Sequence, residues 1–167
     1  GASGNTDFSF STGPAGDNKL SAGSIGGGGT FNLGANQLTV GGNNLSTNVT
    51  GIIADGGIGG GSGASLVKTG NGTMTLSGAN TYTGGTVICD CATLQIGNGG
   101  TTGSIVGDIT AHNGILIFNR SDDFNVTSLI SGTGSVLHQG TGTTTLAGAN
   151  TYGGGTLVNG GTLTLQD

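Results

Sequence analysis

Apolar and polar residues alternate in short stretches along this chain. Met74 and Leu76 are separated by threonine, Leu94 and Ile96 by glutamine, and Leu163 and Leu165 by threonine. A period of two places alternate side chains on opposite faces of a β-strand, which predicts half-buried strands. Glycine and asparagine punctuate these stretches and provide turn chemistry between them. The pattern predicts a chain built from many short strands.

The strands belong to a long internal repeat. Residues 65–76 recur at residues 135–146, which begin 70 positions later, and both stretches continue into Gly-Ala-Asn-Thr-Tyr at residues 78–82 and 148–152. A second strand follows in each copy, so the repeat blocks span residues 65–97 and 135–166. The first copy has one extra residue around Cys89-Asp90-Cys91. Self-similarity of this kind is typical of repeat architectures.

The strand spacing indicates a solenoid. Steps of roughly twenty residues, about one solenoid coil, join corresponding apolar positions. These steps run from Leu76 to Ile96, Ile96 to Ile117, Ile117 to Leu137 and Leu146 to Leu165. We therefore expect an all-β, single-stranded parallel β-helix (β-solenoid) with Leu76, Ile96, Leu146 and Leu165 inside. A β-sandwich also uses short alternating strands, but it does not require a repeated block.

Two parts of the chain depart from the pattern. Residues 1–29 are rich in Gly, Ser and Asn, and we expect an atypical lead-in or cap there, with the β-helix covering residues 30–167. The glycine-rich residues 56–63 predict a loop that leaves the solenoid wall.

The composition narrows the class further. Glycine occupies 40 of 167 positions, charged residues make up 7% and the net charge is −5 with three Lys and Arg. So few cations argue against nucleic acid, whose phosphates need basic patches, and against anionic membrane surfaces. No apolar run approaches the roughly 20 residues that span a bilayer. The chain begins at Gly1, and we expect a processed or excised fragment.

The repeat blocks resemble a known family. Residues 66–86, Leu-Val-Lys-Thr-Gly-Asn-Gly-Thr-Met-Thr-Leu-Ser-Gly-Ala-Asn-Thr-Tyr-Thr-Gly-Gly-Thr, are similar to the passenger-associated transport repeat of bacterial autotransporters, as is the copy that ends at residues 155–163. Residues 118–123 and 130–134 resemble the linking segments of such passengers, and the resemblance covers residues 64–167 most strongly. It implies a right-handed β-helix, type V export to the cell surface or medium, and help with folding during passage. It also implies a partner, the outer-membrane β-barrel translocator of the same precursor.

Cys89 and Cys91 are the two cysteines of the chain. Two cysteines in an exported protein usually form a disulfide, so we expect Cys89 and Cys91 to be joined. The very small ring strains the bond and adds little stability. Free thiols, an intermolecular bond and a metal-linked state stay open as alternatives.

The remaining candidates for chemistry favour structural roles. Asn80, Tyr82, Asn150 and Tyr152 lie at matching repeat positions, and we expect them to build turns. His112 and His138 are the histidines available for zinc, but they lie at different phases of the coil, and we expect both to face solvent. Arg120 with Asp122 and Asp123 suggests a polysaccharide-degrading site, which would require paired carboxylates at a defined distance. Adjacent Asp residues point in different directions, so a polar corner is favoured over an enzyme or a calcium site.

The sequence therefore predicts no catalytic residue, metal or cofactor. It predicts a structural or adhesive passenger segment with a Thr- and Asn-rich surface, whose partners are host or cell-surface glycans and proteins. End-to-end self-association into fibres is the main alternative, because an uncapped solenoid has open β edges.

Overall fold

A computed structural model describes residues 4–166 as a β-solenoid of about seven turns. These residues form eighteen short strands and no helix, and the paired strands all run parallel to one another. Within this part of the chain no helix is long and apolar enough to cross a membrane. The fold class predicted from the sequence is confirmed.

The strands line three faces, and each coil contributes successively to all of them. Face 1 is a six-stranded sheet in the order β14-β11-β9-β7-β4-β2. Its strands are β2 (Lys19–Ala22), β4 (Gln37–Val40), β7 (Ser65–Lys68), β9 (Thr86–Ile88), β11 (Ile109–Ala111) and β14 (Ile130–Gly132). Face 2 is also six-stranded, in the order β17-β15-β12-β10-β8-β5. Its strands are β5 (Thr47–Val49), β8 (Thr73–Leu76), β10 (Thr93–Ile96), β12 (Ile115–Phe118), β15 (Ser135–His138) and β17 (Thr156–Val158).

Face 3 consists of a three-stranded sheet at each end of the solenoid. The first contains β1 (Thr6–Asp7), β3 (Thr30–Asn32) and β6 (Ile52–Ala54), and the second contains β13 (Phe124–Val126), β16 (Thr143–Leu146) and β18 (Thr162–Leu165). Between these sheets the stack continues without regular strands. An isolated parallel bridge joins Ala79 to Ser104, and Thr81 N donates to Ile53 O.

Strand alternation creates one thin core inside the three faces. On β8 the threonines face outward, while Met74 and Leu76 are buried. An inward column on face 2 consists of Leu76, Ile96, Phe118, His138 and Val158 in successive coils. The predicted partner of Ile96 was Ile117, and this is wrong by one residue, because Phe118 occupies the inward position and Ile117 points outward.

The two ends differ from the sequence-based expectations in different ways. Leu165 was expected inside, but 62% of it is exposed, because no further coil covers the last strand of the described residues. Residues 4–29 contribute β1 and β2, which pair with β3 and β4 and so belong to the stack. Their description as a separate lead-in or cap stays a prediction. The loop at residues 56–63 lies between β6 and β7, and its Ile58 is 85% exposed.

The two repeat copies lie on different faces of the solenoid. The first copy places β7 on face 1 and β8 on face 2, whereas the second places the corresponding β15 on face 2 and β16 on face 3. The later strands of the copies, β9 and β17, and β10 and β18, show the same displacement. The offset between the copies is therefore three coils and one additional face. The same sequence block therefore forms the same strands in two different placements around the coil.

Candidate functional site

The repeat corners are built around a buried asparagine. Asn80 is 1% exposed, and its Oδ1 accepts a hydrogen bond from Ile53 N at 2.8 Å. Its Nδ2 donates to Gly78 O and, at 2.9 Å, to Ser104 O in the following coil. The side chain thus replaces missing strand hydrogen bonds where face 3 is irregular. Asn150 repeats this arrangement on face 1, with Oδ1 accepting from Ile130 N at 2.9 Å.

A tyrosine closes each of these corners. The hydroxyl groups of Tyr82 and Thr86 are 2.7 Å apart, and Tyr152 and Thr156 show the same distance. Tyr82 is fully buried, and burial raises the pKa of its phenol well above the ordinary value. Tyr152 is only partly buried, because its corner lies in the last coil. These contacts support the predicted turn roles, which stay a prediction until they are tested by substitution.

The cysteine turn joins β9 to β10 at the corner between faces 1 and 2. Ala92 N donates to Cys89 O at 3.0 Å and closes the turn, and Asn113 of the next coil donates its Nδ2 to Asp90 Oδ1. Cys89 is half-buried and Cys91 is exposed. Both are free cysteines in this structure, and the disulfide between them stays a prediction.

The Arg120 side chain is buried, although the sequence suggests a polar corner at the surface. Its guanidinium forms two hydrogen bonds to the carboxylate of Asp122, at 2.9 and 2.7 Å, and further bonds to the carbonyls of Thr101 and Gly103. It also stacks over the ring of Phe124, with 4.4 Å between Cζ and the ring centroid. The hydrogen bond from Arg120 lowers the pKa of Asp122. These contacts occupy almost all donors of the guanidinium, so Arg120 anchors the loop at residues 97–104 and is poorly suited to bind a substrate.

The prediction for one histidine is wrong. His112 is exposed as expected, but His138 is completely buried, because it shares the inward side of β15 with Val136. Its Nε2 lies 3.2 Å from Gly142 O. In the described part of the chain, His138 Nδ1 and Thr144 Oγ1 are buried without a hydrogen-bond partner.

Sequence reasoning also missed a buried lysine at the matching repeat position. Lys68 is 1% exposed and donates its Nζ to the carbonyls of Thr69 and Gly70. Burial lowers the pKa of Lys68. The available signal was the alternation itself, because Leu66-Val67-Lys68 corresponds to Val136-Leu137-His138 and places the third residue inward.

One acidic side chain, Asp55, binds the backbone at the end of the glycine-rich loop at residues 56–63. Asp55 accepts from the backbone of Gly63, Ala64 and Thr83 and from the Thr83 hydroxyl. Partial burial raises the pKa of Asp55, but these hydrogen bonds outweigh it, and the net shift is downward. Across residues 4–166, no three His, Cys, Asp or Glu side chains cluster in a way that could hold a metal ion.

The outer surface of the strands carries hydroxyl and amide groups in regular rows. On face 3, Thr143 pairs with Thr162 and Thr145 pairs with Thr164, so four outward threonines form a small grid. Strand geometry sets its spacing at about 4.8 Å between strands and about 6.6 Å along them. On face 2 the outward-pointing column runs from Thr75 through Gln95, which is itself buried, to Ile117, Leu137 and Leu157 towards the end of the chain.

Comparisons with known proteins agree with this architecture. The family model for the passenger-associated-transport-repeat matches residues 66–96 and 139–165. The chain is similar to the adhesin BmaC autotransporter of Brucella suis biovar 1 (strain 1330), with 49% identity over 101 residues. That alignment covers 60% of this chain and 3% of the relative, so the chain spans only a small part of the relative's length. No solved structure matches the chain significantly.

Proposed function

Because this chain is a segment of an autotransporter passenger with passenger-associated transport repeats, we propose that it forms part of an adhesive rod on the bacterial surface. The observation that carries the proposal is the outer surface, where rows of threonine are held at strand spacing on a stack of parallel coils. Many weak polar contacts with a glycan or protein fit such a surface. The adhesin name of the similar Brucella protein supports this assignment.

The segment acts by geometry and not by catalysis. Arg120 and Asp122 neutralise one another, so Asp122 is not free to serve as one of the paired carboxylates that glycoside hydrolysis requires. The passenger context supports a translocator barrel in the same precursor, export out of the cell, and a contribution of the repeats to folding during passage. These finer roles belong to the proposal.

Binding to surfaces tests the function directly. The purified chain is coated on beads, and bead adhesion to mammalian cells and to immobilised matrix glycans is counted. We expect adhesion above that of uncoated beads. The fourfold variant Thr143→Ala, Thr145→Ala, Thr162→Ala and Thr164→Ala should lower it, since it removes one hydroxyl grid and leaves the core intact.

A matched control removes outward threonines from another face. Thr73→Ala, Thr75→Ala and Thr93→Ala together change face 2, and comparison of the two variants shows which face adheres. Failure of the unmodified chain to adhere to any of these surfaces would contradict the proposal.

A further inference from the structure

The corner between faces 1 and 2 contains at least one residue with left-handed backbone in each of four successive coils. Asn44, Gly70, Cys91 and Asn113 occupy this corner in successive coils, with φ values of 59°, 69°, 60° and 51°. Glycine and asparagine adopt this conformation readily, whereas other L-residues pay roughly 1–2 kcal/mol. Cysteine therefore stands where the fold itself favours Asn or Gly.

Cys91 is also exposed to solvent, and a second cysteine lies on the same turn. Cys91 is exposed, and half-buried Cys89 precedes it by two residues on the same closed turn. Cys91 can therefore react with a bulky disulfide from solvent, and Cys89 can then attack the Cys91 sulfur from within the turn. A resolving cysteine beside an accessible one is the usual arrangement for thiol–disulfide exchange.

A buried positive charge lies one coil before this turn. Lys68 is stacked against Ile88, and Cys89 N donates to Lys68 O at 2.9 Å. Burial lowers the pKa of Lys68, and its interaction with the charge of a Cys89 thiolate opposes that shift. The carboxylate of Asp90 lies on the same turn but is held by Asn113 Nδ2 at 3.3 Å.

We propose that Cys89 and Cys91 form a thiol–disulfide exchange site, with Cys91 as the attacking thiol and Cys89 as the resolving thiol. The substrates are accessible disulfides, in a small molecule or on a protein surface. This activity is separate from the adhesive function and does not depend on it.

The exchange balances without an additional electron carrier. The Cys91 thiolate attacks one sulfur of the substrate disulfide, forms a mixed disulfide and releases the first substrate thiolate, which takes up the Cys91 proton. The Cys89 thiolate then attacks the Cys91 sulfur, closes the Cys89–Cys91 disulfide and releases the second thiolate, which takes up the Cys89 proton. Two protein thiols are oxidised and one substrate disulfide is reduced.

Oxidised glutathione serves as the probe, with products identified by intact mass after acid quenching. The reduced protein should end as the internal disulfide without retained glutathione. Cys89→Ser should accumulate a stable mixed disulfide on Cys91. Cys91→Ser should react about tenfold more slowly, because Cys89 is half-buried. The two variants are matched controls, since each retains one thiol, and circular dichroism verifies their fold.

Three results would overturn the proposal. The first is glutathione retained on the unmodified protein, which would mean that Cys89 does not resolve the intermediate. The second is an equal rate for the two single variants, which would remove the division of roles. The third is an internal disulfide that excess reduced glutathione fails to open, which would identify a structural crosslink instead. The adhesion assay is read separately and is unaffected by these outcomes.

Discussion

Inward polar side chains in this solenoid form hydrogen bonds mainly with the backbone of nearby turns. Lys68 donates to Thr69 and Gly70, His138 Nε2 lies close to Gly142 O, and Asn80 bridges the coils before and after it. Burial of a polar group destabilises the folded state unless the group is hydrogen-bonded, and this also applies to buried carbonyls of turns. At the level of single residues, these side chains compensate for corners where the strand ladders are interrupted.

Replacing Cys91 with the residue type of neighbouring coils should stabilise the protein. Cys91→Asn removes a strained left-handed cysteine, and we expect a gain of about 1 kcal/mol in the free energy of unfolding under reducing conditions. Urea unfolding measures the change. Cys89→Ser is the control, because Cys89 is not among the residues with positive φ. A loss of stability in Cys91→Asn would show that the thiol itself packs favourably.

Because of the buried amine of Lys68, the free energy of unfolding should change with pH in the alkaline range. Because its pKa in the folded protein lies below the ordinary 10.5, the folded state releases the proton first, and stability should rise as the pH moves from that lowered pKa towards 10.5. In Lys68→Met this gain is absent. Urea unfolding between about pH 7 and about pH 10 should therefore favour the unmodified protein increasingly over the variant.

The control for the lysine is Lys19→Met, since the Lys19 side chain is 64% exposed. Its unfolding free energy should follow that of the unmodified protein across the same range. Parallel curves for the unmodified protein and Lys68→Met would contradict the assigned role of the buried amine.

At the scale of elements, the repeat corner is a unit that folds in the same way wherever it lies. In both copies the Asn side chain accepts a hydrogen bond from the strand of the preceding coil, and the Tyr hydroxyl contacts the Thr hydroxyl, although one copy lies on the next face. Local sequence therefore determines the corner, and stacking determines its burial. This explains why Tyr82 is buried and Tyr152 is only partly so.

Asparagine substitutions should show the effect of stacking on this unit. Asn80→Ala leaves the buried N–H of Ile53 without its partner and removes one hydrogen bond from each of the carbonyls of Gly78 and Ser104, and we expect a loss of about 2–3 kcal/mol. Asn150→Ala should cost about 1 kcal/mol, because its corner is partly open and water replaces lost contacts. Urea midpoints of the two variants compare them directly. Equal losses would mean that position in the stack has no influence.

The alternation of apolar and polar residues predicted the strands well. It did not predict which residues face inward where both sides of a strand are apolar. Ile115, Leu116, Ile117 and Phe118 offer two apolar sets, and a slip of one residue exchanges inside for outside. His138 was misplaced for another reason, because its polarity was given more weight than its phase with Val136. Leu165 followed the correct phase, but burial also requires a neighbouring coil. The face that each repeat occupies is not determined by local sequence, so it could not be predicted from the repeat alone.

For the whole molecule, stability should be distributed along the stack. Leu146 is fully buried although it lies in the second-last coil of face 3. Leu146→Ala should cost about 2–5 kcal/mol in its surroundings and increase hydrogen exchange in β16 and β18. Contacts in a solenoid are mainly between neighbouring coils, so protection around Leu38 should be retained. Uniform loss of protection would instead indicate one cooperative unit.

The displacement of the second repeat copy by one face has a consequence for variation in length. Deleting residues 66–135 joins Ser65 to Val136 and leaves one hybrid repeat, which should fold on the faces that the first copy now uses. The shortened rod should keep its strand content by circular dichroism and unfold cooperatively, whereas a collapsed or aggregated product would contradict the interchangeability of the faces. Everything beyond the junction would be turned by about a third of a revolution, the angle between faces of a three-sided coil. Gain or loss of such a block would therefore redirect whatever the rest of the passenger presents, as well as changing how far it reaches.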